Sequence, residues 1–267
     1  MFFASHIFYS LSAYLNYRIN STTRHSIHSP FVYRFTNEVI RVKNHYAEFV
    51  EIEQIRESML NLTNVIEITD FGTGKGNRDY ELRFERVQSI AENDSVSKKE
   101  GKLLFNLVKF FKPDTIIEIG TSLGISTVYL AKAAPEARLH TLEGCSTKSQ
   151  LAASNFSKLH LTKIQQHIGK FDLTLPKALA QINKLDLAFI DGNHSYRATL
   201  KYFELLLQKA HNDTVFVFDD IHWSADMGKA WMKIIGNEHV TASIDLFSMG
   251  IVFFRKELSK QAFVIRN

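Results

Sequence analysis

From Ser97 onward the chain alternates short runs of β-branched and aromatic residues with longer stretches of helical periodicity. This is the pattern of successive βα units over a parallel sheet. The apolar runs occupy residues 115–119, 138–142, 164–168, 185–190 and 215–218, and each ends at glycine or an acid. Ligands of an open parallel sheet gather outside the carboxyl ends of its strands. Glu118, Glu143, Asp191, Asp219 and Asp220 are therefore expected to point into one crevice. Further on, residues 240–247 and 249–254 flank only Ser248 and read as an antiparallel pair closing the sheet. The pattern predicts an α/β fold with a doubly wound, seven-stranded, mostly parallel sheet and an antiparallel C-terminal strand pair.

Residues 1–94 read differently. An aromatic, amphipathic start (Phe2, Phe3, Phe8, Tyr9, Tyr14) gives way to a polar stretch ending at Pro30. A helical pattern through Phe35, Val39, Ile40 and Val42 follows. We read this part as a mainly helical extension, a lid, substrate or dimerisation element, in front of a main domain at residues 95–267. Its aromatic face is too apolar to stay in water, so it is expected to pack on the main domain or on a second copy. The stretch from His25 through His28 to Phe31 suits a substrate lid or a solvated linker equally.

Composition narrows the class. Of the 267 residues 45% are hydrophobic and 22% charged, which excludes wholesale disorder. Cys145 is the single cysteine, so an internal disulfide and a zinc finger are excluded and a reducing cytoplasm fits best. The net charge of +4, from 32 basic against 28 acidic residues, is too small and scattered to mark a nucleic-acid footprint. No run reaches the roughly 18 apolar residues of a membrane span, and the N-terminus lacks the basic region of a signal peptide.

Two glycine-rich loops compete for a cofactor. Asp70-Phe71-Gly72-Thr73-Gly74-Lys75-Gly76 is the better literal match to a nucleotide loop, but no apolar strand ending in an acid follows it. Glu118-Ile119-Gly120-Thr121-Ser122-Leu123-Gly124 is looser, yet it leaves a buried run, opens a plausible helix and leads to the strand ending at Glu143. A glycine loop holds a cofactor when backbone amides at a helix start face the ligand, so context favours the second loop. The first reads as a β-turn or lid loop. A carboxylate after the next strand accepts both hydroxyl hydrogens of a ribose, which makes Glu143 the ribose residue.

These residues resemble the Rossmann-like, class I S-adenosylmethionine-dependent methyltransferases. The resemblance covers residues 97–256 and rests on the E-x-G-T-S-x-G-x-S-T loop, on Glu143, and on Asp191-Gly192-Asn193-His194-Ser195-Tyr196. It implies a cofactor site made by Glu118, Gly120, Thr121, Ser122, Gly124, Ser126 and Glu143, with Asp191 nearby. The segment Gly169-Lys170-Phe171 matches the family's adenine-edge loop, adding Gly169 and Phe171. The Asp-Pro-Pro-Tyr type of signature that marks base-flipping relatives is absent, so a small-molecule acceptor is expected and no nucleic acid.

Within that family the chain resembles the metal-dependent catechol-type and caffeoyl-coenzyme-A-type O-methyltransferases, with Asp220 where they carry asparagine. The resemblance implies a divalent cation, Mg2+ or Mn2+, on Asp191, Asp219 and Asp220, since three converging carboxylates repel unless a cation relieves them. The competing reading has Asp191 capping a helix while Asp219 alone faces substrate. His222 could add a nitrogen donor. His194 stands where the catechol-type enzymes place a lysine base, so it is either the general base or a hydrogen-bonding partner of Asp219 or the chain. With Asp191 and Asp219 it completes the candidate catalytic set. Tyr196, Trp223 and Trp231 would wall an aromatic substrate pocket or lie in the core. The expected function is methyl transfer from S-adenosylmethionine to an oxygen of a small molecule. The alternatives are N-methyl transfer and a noncatalytic S-adenosylmethionine-binding protein.

Overall fold

The computed structural model describes residues 2–22, 27–71 and 80–266, with side chains from Tyr9 onward. The Gly72–Gly76 loop, His25 and the side chains of Phe2, Phe3 and Phe8 lie outside the described residues. The chain begins with α1 (Phe2–Asn20), α2 (Pro30–Phe35), a π-helical turn (Thr36–Ile40) and α3 (Glu48–Leu60). Then come β1 (Val65–Asp70), β2 (Glu81–Arg86), α4 (Val87–Asn93), α5 (Lys98–Phe111), β3 (Thr115–Ile119), α6 (Ile125–Ala133), β4 (Arg138–Glu143) and α7 (Ser146–Lys158). The remainder is β5 (Ile164–Ile168), α8 (Phe171–Ala180), β6 (Leu187–Ile190), α9 (Tyr196–Leu207), β7 (Val215–Asp219), α10 (Ala225–Ile235), β8 (Ala242–Asp245), β9 (Met249–Phe253) and β10 (Gln261–Val264).

The fold is mixed α/β, with a large, mostly parallel sheet, flanking helices and an antiparallel strand pair near the C-terminus. The sheet has eight strands where the sequence pattern predicts seven, because β10 adds on parallel to β8. By contacts the chain divides into two compact units, residues 37–181 and residues 1–36 with 182–267.

In the unit of residues 37–181, β3, β4 and β5 run parallel, with Ile119 opposite Leu142 and Glu143 opposite Ile168. Strand β3 is buried throughout, which is why it reads as an unbroken apolar run around one acid. A capping box starts α5: Ser97 Oγ accepts from Glu100 N, and Glu100 returns a carboxylate to Ser97 N. A Cβ at Gly101 would run into the Tyr129 ring, so glycine sets the close approach of α5 and α6. The extension is less helical than its sequence suggests, because β1 and β2 form an antiparallel hairpin. Ile68 roots the hairpin in a cluster with Met59, Val87, Ile90, Ala91, Leu123 and Cys145.

Two histidines interrupt the apolar pattern of β4 and β5. His140 is 4% exposed, and its Nδ1 lies 3.0 Å from His167 Nε2. Burial, then the neighbouring His167 and Arg138, push the His140 pKa down to about 4. The neutral pair is thus favoured by folding, and its contribution is complete above the unfolded value of about 6.5 and is lost as pH falls through about 4. Melting midpoints at pH 7 and pH 5 should therefore differ less in His140→Gln than in the native chain; equal differences would remove this histidine from the acid sensitivity.

In the other unit β6 and β7 are parallel, and β9 lies antiparallel between β7 and β8. The β8–β9 turn uses Leu246, Phe247 and Ser248 rather than Ser248 alone, since one residue cannot reverse a strand pair. Phe247 takes φ 75°, and Asp245 Oδ1 accepts its N–H at 2.8 Å. Helix α1 is held at its C-terminal end, where Tyr17 donates to the Ile265 carbonyl and Tyr14 packs edge-on against Phe247. Its Leu11, Leu15 and Ile19, spaced by one helical turn, remain exposed. Among the described residues no helix is long and apolar enough to cross a membrane.

Candidate active site

The glycine loop between β3 and α6 belongs to the unit of residues 37–181 and takes a form that few sequences permit. Gly120, Ser122 and Gly124 have φ of 104°, 45° and 83°. Such values suit glycine, and at Gly124 a Cβ would also come within 2.6 Å of the Phe156 ring. The loop is tied down along its length. Gly120 N and Thr121 N both donate to the Leu142 carbonyl, at 2.9 and 3.1 Å. Ser122 N donates to Glu143 Oε2 at 2.8 Å, and Cys145 N to Glu143 Oε1 at 2.9 Å.

A hydroxyl chain runs below the loop. Thr127 and Thr141 both donate to Glu118 Oε2. Thr141 has one hydrogen and gives it to Glu118, so Thr121 donates to Thr141. Glu118 is fully buried, and its carboxylate is turned toward these threonines. That orientation makes it a brace of the loop. Ser126 is buried on the first turn of α6. Ser122 Oγ is buried without a hydrogen-bond partner, an unmet polar atom in a loop whose Gly120, Thr121, Ser122 and Gly124 amides already donate within the protein. That unmet hydroxyl is the feature of the loop that fits a polar cofactor group.

Glu143 is where the second strand's acid was expected. Burial pushes its carboxyl above the ordinary carboxylate range, against the opposing pull of Lys148 and of the Cys145 and Ser122 amides. Lys148 pairs with Asp94 at 2.7 Å. Burial disfavours the Lys148 charge, but Asp94 and Glu143 outweigh it and hold its pKa up. Each Glu143 oxygen retains acceptor capacity beyond its one backbone amide. Gly169 adopts φ 128° and donates its N–H to the Glu143 carbonyl at 2.8 Å, joining the loop before α8 to the end of β4. Phe171 is half-buried at the start of α8.

Asp191, Asp219 and Asp220 lie in the other unit, where β6 and β7 end side by side. Asp219 is 9% exposed and accepts from Asp220 N at 2.9 Å, while Asp220 takes φ 55°. His194 Nε2 lies 3.4 Å from Asp191 Oδ1 and 3.9 Å from Asp220 Oδ2. The cap of α9 is Ser195, whose Oγ accepts from Ala198 N, so Asp191 is not spent on capping that helix. A cavity of about 370 Å³ in the same unit is lined by Ser195, Tyr196, Arg197, Asp226 and Lys229, and by none of the three aspartates or His194. Trp223 is exposed, whereas Trp231 is buried against Phe218 and Gly250 and belongs to the core.

The donor set of the three aspartates is all oxygen, which suits a hard divalent cation. Their arrangement does not match that chemistry. Among the described residues no three His, Cys, Asp or Glu side chains are gathered to hold a metal ion. His222 is engaged elsewhere: its Nε2 meets Asp245 Oδ2 at 2.7 Å. This His–Asp pair escaped the sequence reading because its members stand 23 residues apart, in a loop and at a strand end.

Residues 117–221 match the family described as "Methyltransferase domain" (Methyltransf_24). Over 130 residues the chain is 32% identical to a catechol O-methyltransferase of Niastella koreensis, a match covering 48% of this chain and 58% of that protein. A catechol O-methyltransferase of Mycobacterium tuberculosis is 29% identical over 129 residues, 48% of this chain and 57% of its own length. The chain thus spans somewhat over half the length of these curated relatives. Among solved structures, the O-methyltransferase TomG of Streptomyces achromogenes, determined in complex with SAM, superposes with a TM-score of 0.58. That alignment has 19% identity and covers 84% of this chain and 95% of the other.

Proposed function

We propose that this chain, whose fold is that of class I methyltransferases and whose residues 117–221 match a methyltransferase domain, transfers a methyl group from S-adenosylmethionine to a hydroxyl oxygen of a small, catechol-like molecule. The observation that carries the reading is the grip of Glu143 on the glycine loop, with its remaining acceptor capacity left for a ribose. When bound, the cofactor supplies the activated methyl, so the protein's task is alignment and proton removal. The hydroxyls of Ser122 and Ser126 would hold the amino-acid end, and Glu143 the ribose. Gly169 and Phe171 would border the base. His194 would take the acceptor's proton at its imidazole, with Asp191 and Asp220 favouring the cation that results. Asp219 would face the acceptor. Calorimetry with S-adenosylhomocysteine, followed by a panel of catechols, other phenols and amines, tests this. Binding with methylation of amines alone would move the activity to nitrogen, and binding without any turnover would leave a noncatalytic protein.

A second reading adds a divalent cation on Asp191, Asp219 and Asp220, favoured by three carboxylates at the ends of adjacent strands. It requires those side chains to turn from their present neighbours toward a shared ion. On that reading EDTA abolishes turnover, Mg2+ or Mn2+ restores it, and Asp219→Ala is inactive with cofactor affinity intact. Full turnover in EDTA together with an active Asp219→Ala would remove the metal.

The exposed stripe of Leu11, Leu15 and Ile19 supports an interaction role for the N-terminal extension, as a dimer contact or a cover over substrate. The lone, buried, free Cys145 suits a cytoplasmic setting.

A further inference from the structure

We propose that Phe71, set at the end of β1, forms an aromatic wall for the adenine ring of the bound cofactor. The inference rests on the reading above, that Glu143 holds the ribose. Phe71 follows the last residue of β1, and its ring lies directly over the backbone of Gly144. A Cβ built on Gly144 would come 2.8 Å from the Phe71 ring, so the ring occupies the space that a side chain at residue 144 would fill. Gly144 is the immediate neighbour of Glu143. A nucleobase is bonded to the ribose carbon next to the diol. A base whose ribose sits on Glu143 must therefore lie within a few ångströms of that surface.

Two other segments close on the same ring. Lys170 Nζ lies 5.6 Å from its centroid, and Lys170 belongs to the loop whose Gly169 N–H is bonded to the Glu143 carbonyl. The Tyr80 ring, just before β2, meets Phe71 at 6.1 Å and a steep angle of 62°. The placement is not a loose contact of a surface loop. Two residues before Asp70, Ile68 is packed with Leu123 of the glycine loop and with Cys145, and Cys145 Sγ faces the Glu67 carbonyl. The hairpin root is thereby fixed to both parts of the candidate cofactor site. Phe71 itself is only half-buried, which leaves ring surface for a ligand. An aromatic face and a purine stack well in any sequence context.

The test compares the full chain with Phe71→Ala and Phe71→Trp by calorimetry and fluorescence. The probes are S-adenosylhomocysteine and 5′-methylthioadenosine, which keeps base and ribose but lacks the amino acid. Phe71→Ala should weaken both by roughly 5- to 100-fold, the range of losing one stacked base. Phe71→Trp should bind both, with its tryptophan emission quenched on binding. Melting curves check folding; if Phe71→Ala does not fold, Gly144→Ala, which pushes the ring aside, should cause the same loss. Native affinity or tighter binding in Phe71→Ala, or emission from Phe71→Trp that ignores the ligand, would overturn the proposal. A native chain that binds neither probe would instead defeat the cofactor reading itself.

Discussion

His194→Ala should lower kcat by about 10²- to 10⁴-fold, the usual contribution of a positioned general base, while leaving S-adenosylhomocysteine affinity unchanged. The imidazole is placed against both Asp191 and Asp220 at the ends of β6 and β7. A proton taken from an acceptor hydroxyl would turn it into a cation between two carboxylates, and that attraction favours the transfer. His194→Gln separates charge from shape, because the amide fills similar space and donates hydrogen bonds but cannot accept a proton. It should be as slow as His194→Ala. The rate of the native enzyme should rise with pH as the imidazole loses its proton, and this limb should vanish in both variants. Either variant keeping the native rate and pH profile would dismiss His194 as the base.

The second large effect concerns Glu143. Its side chain does two things at once, accepting from Ser122 N and Cys145 N and presenting its remaining lone pairs toward the proposed ribose. Removing it loses charged hydrogen bonds to ligand and leaves two backbone donors unmet. Each such bond is worth about 1.5 to 3 kcal/mol, and part of the loop's loss is recovered by water. Glu143→Ala should therefore weaken S-adenosylhomocysteine by about 2 to 4 kcal/mol, roughly 30- to 1,000-fold. Lys148 does not become an orphan in that variant, because Asp94 still pairs with it. Glu143→Gln, which keeps an acceptor but adds a donor facing one amide, should fall between native and alanine. Unchanged affinity in a folded Glu143→Ala would place the ribose elsewhere.

The order of strands and helices from Ser97 onward was legible because a strand buried on both faces has to be written in apolar residues. The polarity of a parallel pair then sets Asp191 and Asp219 side by side at the ends of β6 and β7. The hairpin of β1 and β2 was less legible. Its strands carry Glu and Arg on exposed positions, and only Ile68 is well buried, so their alternation resembles that of a polar helix or loop. Strand β10 was missed for a similar reason: it is a short run at an edge, with two exposed and two half-buried residues.

The sequence by itself determined where chemistry was to be sought. Gly120 and Gly124 announce a turn that demands left-handed backbone, and Glu143, Asp191 and Asp219 end runs that could only be buried strands. What each side chain faces was decided by tertiary structure alone. Glu118 is turned to Thr127 and Thr141, His194 stands against Asp191 and Asp220, His222 meets Asp245, and Phe71 covers Gly144. Apolar periodicity fixes which face of an element is buried, since that depends on local spacing. The meeting of Phe71 with Gly144 depends on the register of strands and the packing of segments more than seventy residues apart, and no local pattern encodes it.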